Sequence, residues 1–266
     1  MIDELRVDPG RPPGLMTRDA RATFGLDKAA GKEKLRELVE RLGILQQRLF
    51  AERERSLLLV LQGLDASGKD GVIRKVFTGV NPQGCRVVSF KAPTSTELAH
   101  DFLWRIHAAL PERGYIGVFN RSHYEDIVTV RMLGLVPEKV WKRRPRDVNA
   151  FERTLADEGT TIVKVFLNVS KEEQAERFRE RIADPEKRWK FRKADLETHK
   201  RFAEYISAYD EAIEATSKRW APWHIVPADR NWVKSVAVAA LVVDALERMD
   251  PKLPEAEPGI EDIEIV

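Results

Sequence analysis

Residues 57–71 read LLLVLQGLDASGKDG, and this stretch decides the fold. Its first five residues form a continuous apolar run, short enough for a β-strand that is buried on both faces. Residues 63–71 follow the pattern G-x-x-x-x-G-K. Glycines let backbone N–H groups turn toward phosphate oxygens, the start of a helix adds positive charge, and the lysine bridges the outer phosphates. The stretch predicts a strand, a phosphate-binding loop and a helix, whereas the alternative is a glycine-rich turn with an exposed lysine.

Two carboxylates distinguish this loop from the usual one. The residue after Lys69 is commonly Ser or Thr, whose hydroxyl holds Mg²⁺, but here it is Asp70. Asp65 lies inside the loop, where a triphosphate would repel it unless a Mg²⁺ lay between them. We therefore predict that Asp65 binds the metal. The predicted phosphate contacts of the loop are Gly63, Ala66, Ser67, Gly68, Lys69, Asp70 and Gly71.

Further strands and helices alternate along the chain. Short apolar runs recur at 87–90, 115–119, 161–169 and 224–226, and helical patterns lie at 28–55, 70–78, 95–110, 147–158, 171–182, 194–217 and 230–249. This alternation predicts an α/β fold with a five-stranded parallel sheet that is covered on both faces. We predict an irregular N-terminal arm over residues 1–27 that lies on the surface, one domain over 28–249, and a flexible acidic tail over 250–266.

Polar residues follow the strand predicted at 115–119. Positions 120–126 read NRSHYED, and ligands of parallel sheets bind outside the carboxyl ends of strands, so this segment is expected near the phosphate loop. Arg121 offers a planar fork for phosphate oxygens. Glu125 and Asp126 are candidate ligands of the metal or of its water, although Asp126 could instead be a helix N-terminal acid. His123 is either a nucleotide contact or a packed side chain.

Two basic segments suit an anionic ligand. Residues 177–193 hold eight basic and three acidic side chains, with Arg177 and Arg181 on one helix face and a helix break at Asp184-Pro185. We predict a lid over about 171–193 that folds onto phosphates, and a solvated charged face is the alternative. The predicted phosphate contacts beyond the break are Lys187, Arg188 and Lys190. A second run, 139–146, could line the path of a long anion, contact another subunit, or face solvent.

Composition narrows the class of protein. Net charge is +2, but six acids and one lysine in residues 250–266 leave +7 for the rest. This excess suits an anionic partner, and the alternative is that it only aids solubility. Cys85 is the only cysteine, so an internal disulfide is excluded and a reducing compartment is favoured. The longest apolar run, 236–243, is too short to span a bilayer. We expect a soluble cytoplasmic protein that does not bind membranes.

Several motifs, in order, resemble the family-2 polyphosphate kinases, relatives of the thymidylate kinases. They are residues 63–71, 90–93 (FKAP), 100–105 (HDFLWR), 119–126, 184–191, and 221–223 with 228–229, and the resemblance covers about residues 30–250. It implies a three-layer α/β/α P-loop kinase fold with a helical lid, Mg²⁺ (with Mn²⁺ as an alternative), and a basic tunnel for polyphosphate. The positions it implies as catalytic are Asp65, Lys69, Arg121, Arg177 and Arg181, and Lys91 is a candidate polyphosphate contact.

One departure from the family pattern bears on the substrate. Many members have Asp where this chain has Asn120, and the segment 120–126 instead resembles the subgroup that phosphorylates AMP to ADP and ADP to ATP. Asn120 is a poor metal ligand, so Asp126 is expected to supply the lost carboxylate. The nucleotide contacts are then Arg121, His123 and Glu125, with adenine, or alternatively guanine, nucleotides as substrates.

The sequence therefore predicts a Mg²⁺-dependent phosphotransferase that moves a phosphoryl group reversibly from polyphosphate to AMP or ADP. Its acceptor is already anionic, so catalysis should come from charge neutralisation and in-line positioning. The alternatives are an ATP-dependent nucleoside monophosphate kinase and a non-catalytic nucleotide- or polyphosphate-binding module. Nucleic-acid binding is not expected, and a homodimer or homotetramer is.

Overall fold

The protein is described by a computed structural model over residues 1–263. The strands are Arg6–Val7 (β1), Ser56–Gln62 (β2), Cys85–Ser89 (β3), Ile116–Asn120 (β4), Thr160–Asn168 (β5) and Trp223–Pro227 (β6). The helices are Ile2–Leu5 (α1), Lys28–Glu52 (α2), Lys69–Val76 (α3), Ser95–Leu98 (α4), Trp104–His107 (α5), Val128–Met132 (α6), Glu138–Trp141 (α7), Arg144–Asp157 (α8), Lys171–Ala183 (α9), Lys193–Lys200 (α10), Phe202–Thr216 (α11) and Asn231–Met249 (α12). Short 3₁₀ helices lie at Pro82–Gly84, His123–Asp126, Arg188–Lys190 and Ile260–Asp262.

The strands form one sheet in the order β1-β6-β5-β2-β4-β3. Strands β2 to β6 pair in parallel, which confirms the predicted five-stranded parallel sheet. Strand β2 lies between β4 and β5, with Leu61 opposite Asn120. The segments that follow β2, β4 and β5 therefore leave the sheet at the same edge, side by side.

Helices cover both faces of the sheet, as predicted. On one face α2, α3 and α12 pack over a core that includes Leu42, Val72, Leu59 and Leu241. On the other, α6, α8 and α11 pack over a second core. Every residue of β2 is buried, which explains why its sequence is a continuous apolar run and not an alternating one.

The N-terminal arm differs from the prediction. Strand β1 adds a sixth, antiparallel strand beside β6. Leu5 belongs to the core on one face of the sheet and Val7 to the core on the other, and both are buried. Leu15 is also buried and donates its amide to the Asp210 Oδ1 at 3.0 Å. The arm is irregular over much of its length, but it is part of the packed domain.

Two predicted helices are each divided in two. The stretch 95–110 breaks between α4 and α5, where the Asp101 Oδ1 accepts the Leu103 amide at 2.9 Å. Such a local side-chain bond offers the backbone an alternative to the helix. The stretch 194–217 breaks at Arg201, whose guanidinium donates to the Met132 carbonyl at 2.9 Å.

Asp250 adopts a left-handed conformation that terminates α12, and the C-terminal tail follows it. Pro251 is buried and residues 252–261 are exposed. Residues 264–266 of the predicted acidic tail lie outside the described residues, and its flexibility stays a prediction. None of the helices described is both long and apolar enough to cross a membrane.

Candidate active site

The phosphate loop lies between β2 and α3, as predicted. Gly63, Ala66 and Gly68 have positive φ angles of 150°, 64° and 98°. A Cβ on Gly63 would lie 2.9 Å from the Leu167 carbonyl oxygen, so no side chain fits there. Alternating backbone conformations of this kind turn successive N–H groups toward one point. The local sequence therefore produces an anion-binding nest at the start of α3.

Lys69 is buried within this loop. Its Nζ donates to the Gly63 and Leu64 carbonyl oxygens at 2.6 and 3.3 Å. Burial, and then the positive charge of Arg121, lower the pKa of Lys69 to about 8. A phosphate at the nest would favour the charged ammonium, because an opposite charge offsets desolvation.

The segment after β4 lies beside the loop, which confirms the expected proximity. The Arg121 amide donates to the Leu61 carbonyl at 3.0 Å, and its guanidinium contacts the Asp65 carboxylate. Asn120 Nδ2 donates to the Asp70 Oδ1 at 2.7 Å. Arg121 has a φ angle of 62°, and such backbone strain in a non-glycine residue is concentrated at functional sites.

Glu125 closes the same cluster. Its Oε2 lies 3.5 Å from the Arg121 Nη1 and accepts the Thr129 hydroxyl at 2.6 Å. Arg121 thus lies between two carboxylates, Asp65 and Glu125. A phosphate that approaches Arg121 would compete with both of them.

Asp126 is placed differently from the prediction that it binds the metal. Its Oδ2 lies 3.3 Å from the Arg105 Nη2, and its Oδ1 lies 3.5 Å from the Arg144 Nη1. Burial raises the pKa of Asp126 against the pull of these two arginines. Both carboxylate oxygens therefore serve an internal ion pair, and Asp126 does not fit a metal ligand here. Its contacts come instead from α5 and α8.

His123 is also not at the ligand edge. The side chain is fully buried, with Nε2 3.2 Å from the Glu152 Oε1 and its ring against Tyr124 and Phe151. These contacts favour the packed side chain over a nucleotide contact for His123.

Arg177, predicted to be a lid arginine over the phosphates, binds the back of the loop. Its Nη1 donates to the Ala66 and Ser67 carbonyl oxygens at 2.8 and 3.2 Å. Its Nη2 donates to the Ala228 and Asp229 carbonyl oxygens at 2.7 and 2.8 Å, and its Nε donates to the Glu173 Oε1 at 2.9 Å. A guanidinium has five N–H donors, and all five find a partner here. Arg177 is therefore a clamp on the loop and has no donor left for a phosphate.

The other predicted basic contacts lie toward solvent. Arg181 donates only a long 3.4 Å bond to the Lys190 carbonyl. Lys187 pairs with Asp184 at 2.7 Å, and the Arg188 Nε donates to the Ile182 carbonyl at 2.8 Å. Four of the predicted phosphate contacts are exposed, namely Lys91, Lys187, Arg188 and Lys190. The helix, break and further helix expected of the lid are confirmed, but its closure stays a prediction.

The second basic run, 139–146, is mostly exposed and paired on its own surface. Lys142 pairs with Glu138, and Arg143 and Arg146 both pair with Asp147. Arg144 is the exception, because it reaches inward to Asp126. These pairs favour the solvent-exposed interpretation for this run.

Sequence reasoning missed several residues that contact the loop. Gln174 Nε2 donates to the Asp65 carbonyl at 2.9 Å, and the Gln174 Oε1 accepts from the His199 Nδ1 at 2.7 Å. Lys234 is buried and donates to the Ser67 carbonyl at 2.8 Å. Burial, and then repulsion by Asp65, raise the pKa of Asp195, which places a second carboxylate near Asp65. No local pattern marks these residues, because the tertiary fold brings each of them to this region from a distant part of the sequence.

Asp65 is the carboxylate of this site that suits Mg²⁺. Within residues 1–263 no three Asp, Glu, His or Cys side chains are grouped as a metal cage. Kinases commonly hold Mg²⁺ with one or two carboxylates plus substrate phosphates and water, and such a cage is not required. Asp65 fits that role, because its carboxylate is 26% exposed at the mouth of the loop.

Comparison with known proteins gives consistent matches. The family model described as Polyphosphate kinase 2 (PPK2) matches residues 25–254. An AMP/ADP-polyphosphate phosphotransferase of Meiothermus ruber is 49% identical over 247 residues, which cover 93% of this chain and 92% of that protein. An ADP-polyphosphate phosphotransferase of Rhodopseudomonas palustris is 46% identical over 239 residues, covering 85% of this chain and 83% of that protein.

A solved structure shares the fold. The crystal structure of a polyphosphate kinase 2 from Arthrobacter aurescens superposes with a TM-score of 0.93 at 41% identity. The match covers 98% of this chain and 93% of the other.

Proposed function

The chain belongs to the polyphosphate kinase 2 family, and from this premise we propose that it transfers a phosphoryl group reversibly between inorganic polyphosphate and AMP or ADP. One observation carries the proposal. The nest of residues 63–69 and the Arg121 fork lie on adjacent strands at one edge of the sheet, so one cluster of cations can contact two phosphate chains.

The main barrier to this reaction is the repulsion between two polyanions. The AMP or ADP oxygen that attacks is already anionic, so a strong general base is not needed. What the chain must supply is positive charge and in-line orientation. Lys69 and Arg121 lie at the loop, and Arg181 lies on α9 four residues beyond Arg177, with a single long hydrogen bond. We propose that these three cations contact the phosphates.

We also propose that the reaction requires Mg²⁺, held by Asp65. When bound, the ion would neutralise phosphate charge. The Arg121 guanidinium contacts the Asp65 carboxylate. A bound phosphate would compete with Asp65 for this guanidinium, because phosphate and carboxylate are both anionic acceptors. Asp65 would then be free to accept the ion, and Asp195 is a further carboxylate close enough to feel the charge of Asp65. Mn²⁺ could replace Mg²⁺, because it prefers the same oxygen ligands.

The acceptor preference follows the relatives' names and stays a proposal for this chain. We propose both AMP and ADP as acceptors, with guanine nucleotides as poorer ones. We also propose a homodimer or homotetramer. A cytoplasmic location is proposed from the single cysteine, which favours a reducing compartment.

A product assay tests the function directly. Purified protein with Mg²⁺ is given AMP and polyphosphate, ADP and polyphosphate, or AMP and ATP, and nucleotides are separated by ion-exchange chromatography. We expect ADP and ATP in the polyphosphate reactions, and product formation slower by about 10²-fold or more in a Lys69→Ala control. Product only with ATP as donor would instead identify a nucleoside monophosphate kinase. Tight polyphosphate binding without product would identify a binding module.

A further inference from the structure

Lys234 is a buried cation directly behind the phosphate loop. It lies in the first turn of α12, only 1% exposed, and its Nζ donates to the Ser67 carbonyl at 2.8 Å and to the Ala228 carbonyl at 3.5 Å. A Cβ on Gly68 would lie 2.1 Å from this Nζ. Glycine at position 68 therefore leaves the space that the lysine head fills.

The bond from Lys234 to the Ser67 carbonyl determines the direction of the Gly68 N–H. The peptide group is planar, so the Ser67 carbonyl and the Gly68 N–H point in opposite directions. Lys234 and Arg177 both hold the Ser67 carbonyl from behind. The Gly68 N–H must then point toward the front of the nest, where a phosphate oxygen would accept it.

We propose that Lys234 is a positioning residue of the phosphate loop, which aims the Gly68 amide and strengthens anion binding through the loop with its own positive charge. It does not touch the phosphate. The inference rests on the proposed function only in that the loop binds phosphate.

The charge of Lys234 is sensitive to its surroundings. Burial, then Arg177 on α9 and Lys75 on α3, lower its pKa to about 7, while Glu173 on α9 and Asp229 after β6 oppose that shift. An anion at the nest favours the protonated lysine. Binding should therefore take up a proton, and affinity should fall as pH rises through 7. Lys69, with a pKa of about 8, adds a dependence of the same sign.

Variants of Lys234 separate its contribution to anion binding from that of Lys69. The probe is tripolyphosphate without Mg²⁺, titrated calorimetrically into the full chain at pH 6, 7 and 8. Lys234→Met should bind about tenfold more weakly at pH 6, with a smaller change between pH 6 and 8 than the wild type shows. Lys234→Arg keeps its charge at all three values, so it should recover affinity at pH 8 and also show the smaller pH change. Lys34→Met, on the exposed face of α2, is the matched control and should behave as wild type.

Two results would overturn the proposal. One is a folded Lys234→Met with wild-type affinity and pH dependence, where thermal melting without ligand establishes folding. If that variant does not fold, a Lys234→Arg protein with the pH dependence of the wild type would overturn it equally. Turnover of polyphosphate is measured in parallel, so a wild-type protein that binds tripolyphosphate but forms no product would contradict the proposed function and not the role of Lys234.

Discussion

At the scale of single residues, the site contains two kinds of cation. Lys69 and Arg121 lie at the front of the loop, where phosphate oxygens could reach them. Arg177 and Lys234 hold the loop carbonyls from behind, and all five N–H donors of Arg177 are already used. The same residue types therefore serve ligand binding in one place and loop geometry in the other. Substitutions should separate the two kinds.

We expect Asp65→Asn to lower turnover of AMP with polyphosphate by about 10²-fold at saturating Mg²⁺, the scale of losing one preorganised charge. The amide cannot hold the metal as a carboxylate does. Asp157→Asn, a remote exposed position that pairs only with Arg153, is the matched control. Initial rates of ADP formation measure both. Near-wild-type turnover of Asp65→Asn would contradict the metal role.

We expect Lys69→Ala to lower the same turnover by about 10²-fold or more, because it removes the cation inside the nest. Its free energy of unfolding should change little or increase, since the wild-type lysine is buried at a cost that lowers its pKa to about 8. Urea denaturation measures stability alongside the rate. A loss of activity explained by a large loss of stability would argue against a direct phosphate contact.

At the scale of elements, helix α9 has two different ends. Its first turns are attached to the phosphate loop through Gln174 and Arg177. Beyond them Arg181 and the 3₁₀ turn at Arg188–Lys190 make few contacts with the rest of the domain. If the lid closes, we expect the movement to begin after Arg177, near the helix end at Asp184, and not at Ser170.

We expect Arg177→Ala to lower stability, and Arg181→Ala to lower activity. Removing Arg177 takes away the five hydrogen bonds that it donates to four main-chain carbonyl oxygens and Glu173, so unfolding should be easier by about 3 kcal/mol. Arg181→Ala should stay within about 0.5 kcal/mol of wild type but lose about 10²-fold in kcat/KM. Arg179→Ala, an exposed position on the same helix, is the control, and equal stability losses for all three would refute the distinction.

At the scale of the whole molecule, the N-terminal arm completes the sheet. It covers the outer edge of β6 with β1 and buries Leu5 and Val7 on opposite faces. Its loop also reaches the site, because the Asp229 amide donates to the Ala20 carbonyl at 3.1 Å and Arg21 pairs with the Asp229 carboxylate. The arm thus supports the segment that Arg177 grips.

We expect Leu5→Ala to lower the free energy of unfolding by about 2–4 kcal/mol, because the residue is fully buried and leaves a cavity. Leu253→Ala, which is 62% exposed, should change it by less than about 0.5 kcal/mol. Urea midpoints measure both. Similar small effects in the two variants would show that the arm is not part of the cooperative unit.

The buried ion pair of Lys164 and Glu152 shows what local sequence patterns do not predict. Lys164 lies in the middle of β5, within a run that the sequence presents as apolar, and it is fully buried. Its Nζ donates to the Glu152 Oε2 at 2.6 Å, the Tyr124 hydroxyl at 2.8 Å and the Thr216 carbonyl at 2.8 Å. Three different elements supply these acceptors. The strand was predictable from its neighbours in sequence, but the partners of its lysine were not.

The amino-acid sequence alone predicted the strand at 57–61, the loop at 63–71, the helix at 70–78 and the lid helix, because each pattern depends on residues a few places apart. The alternation of such strands and helices along the chain predicted the parallel sheet. The tertiary structure decided which charged side chains are free. Arg177 reaches Ala66 across 111 residues, Lys234 reaches Ser67 across 167, and Asp126 is taken by Arg105 and Arg144. A donor or a carboxylate binds whichever partner the folded chain brings near, and for these residues that partner is distant in sequence.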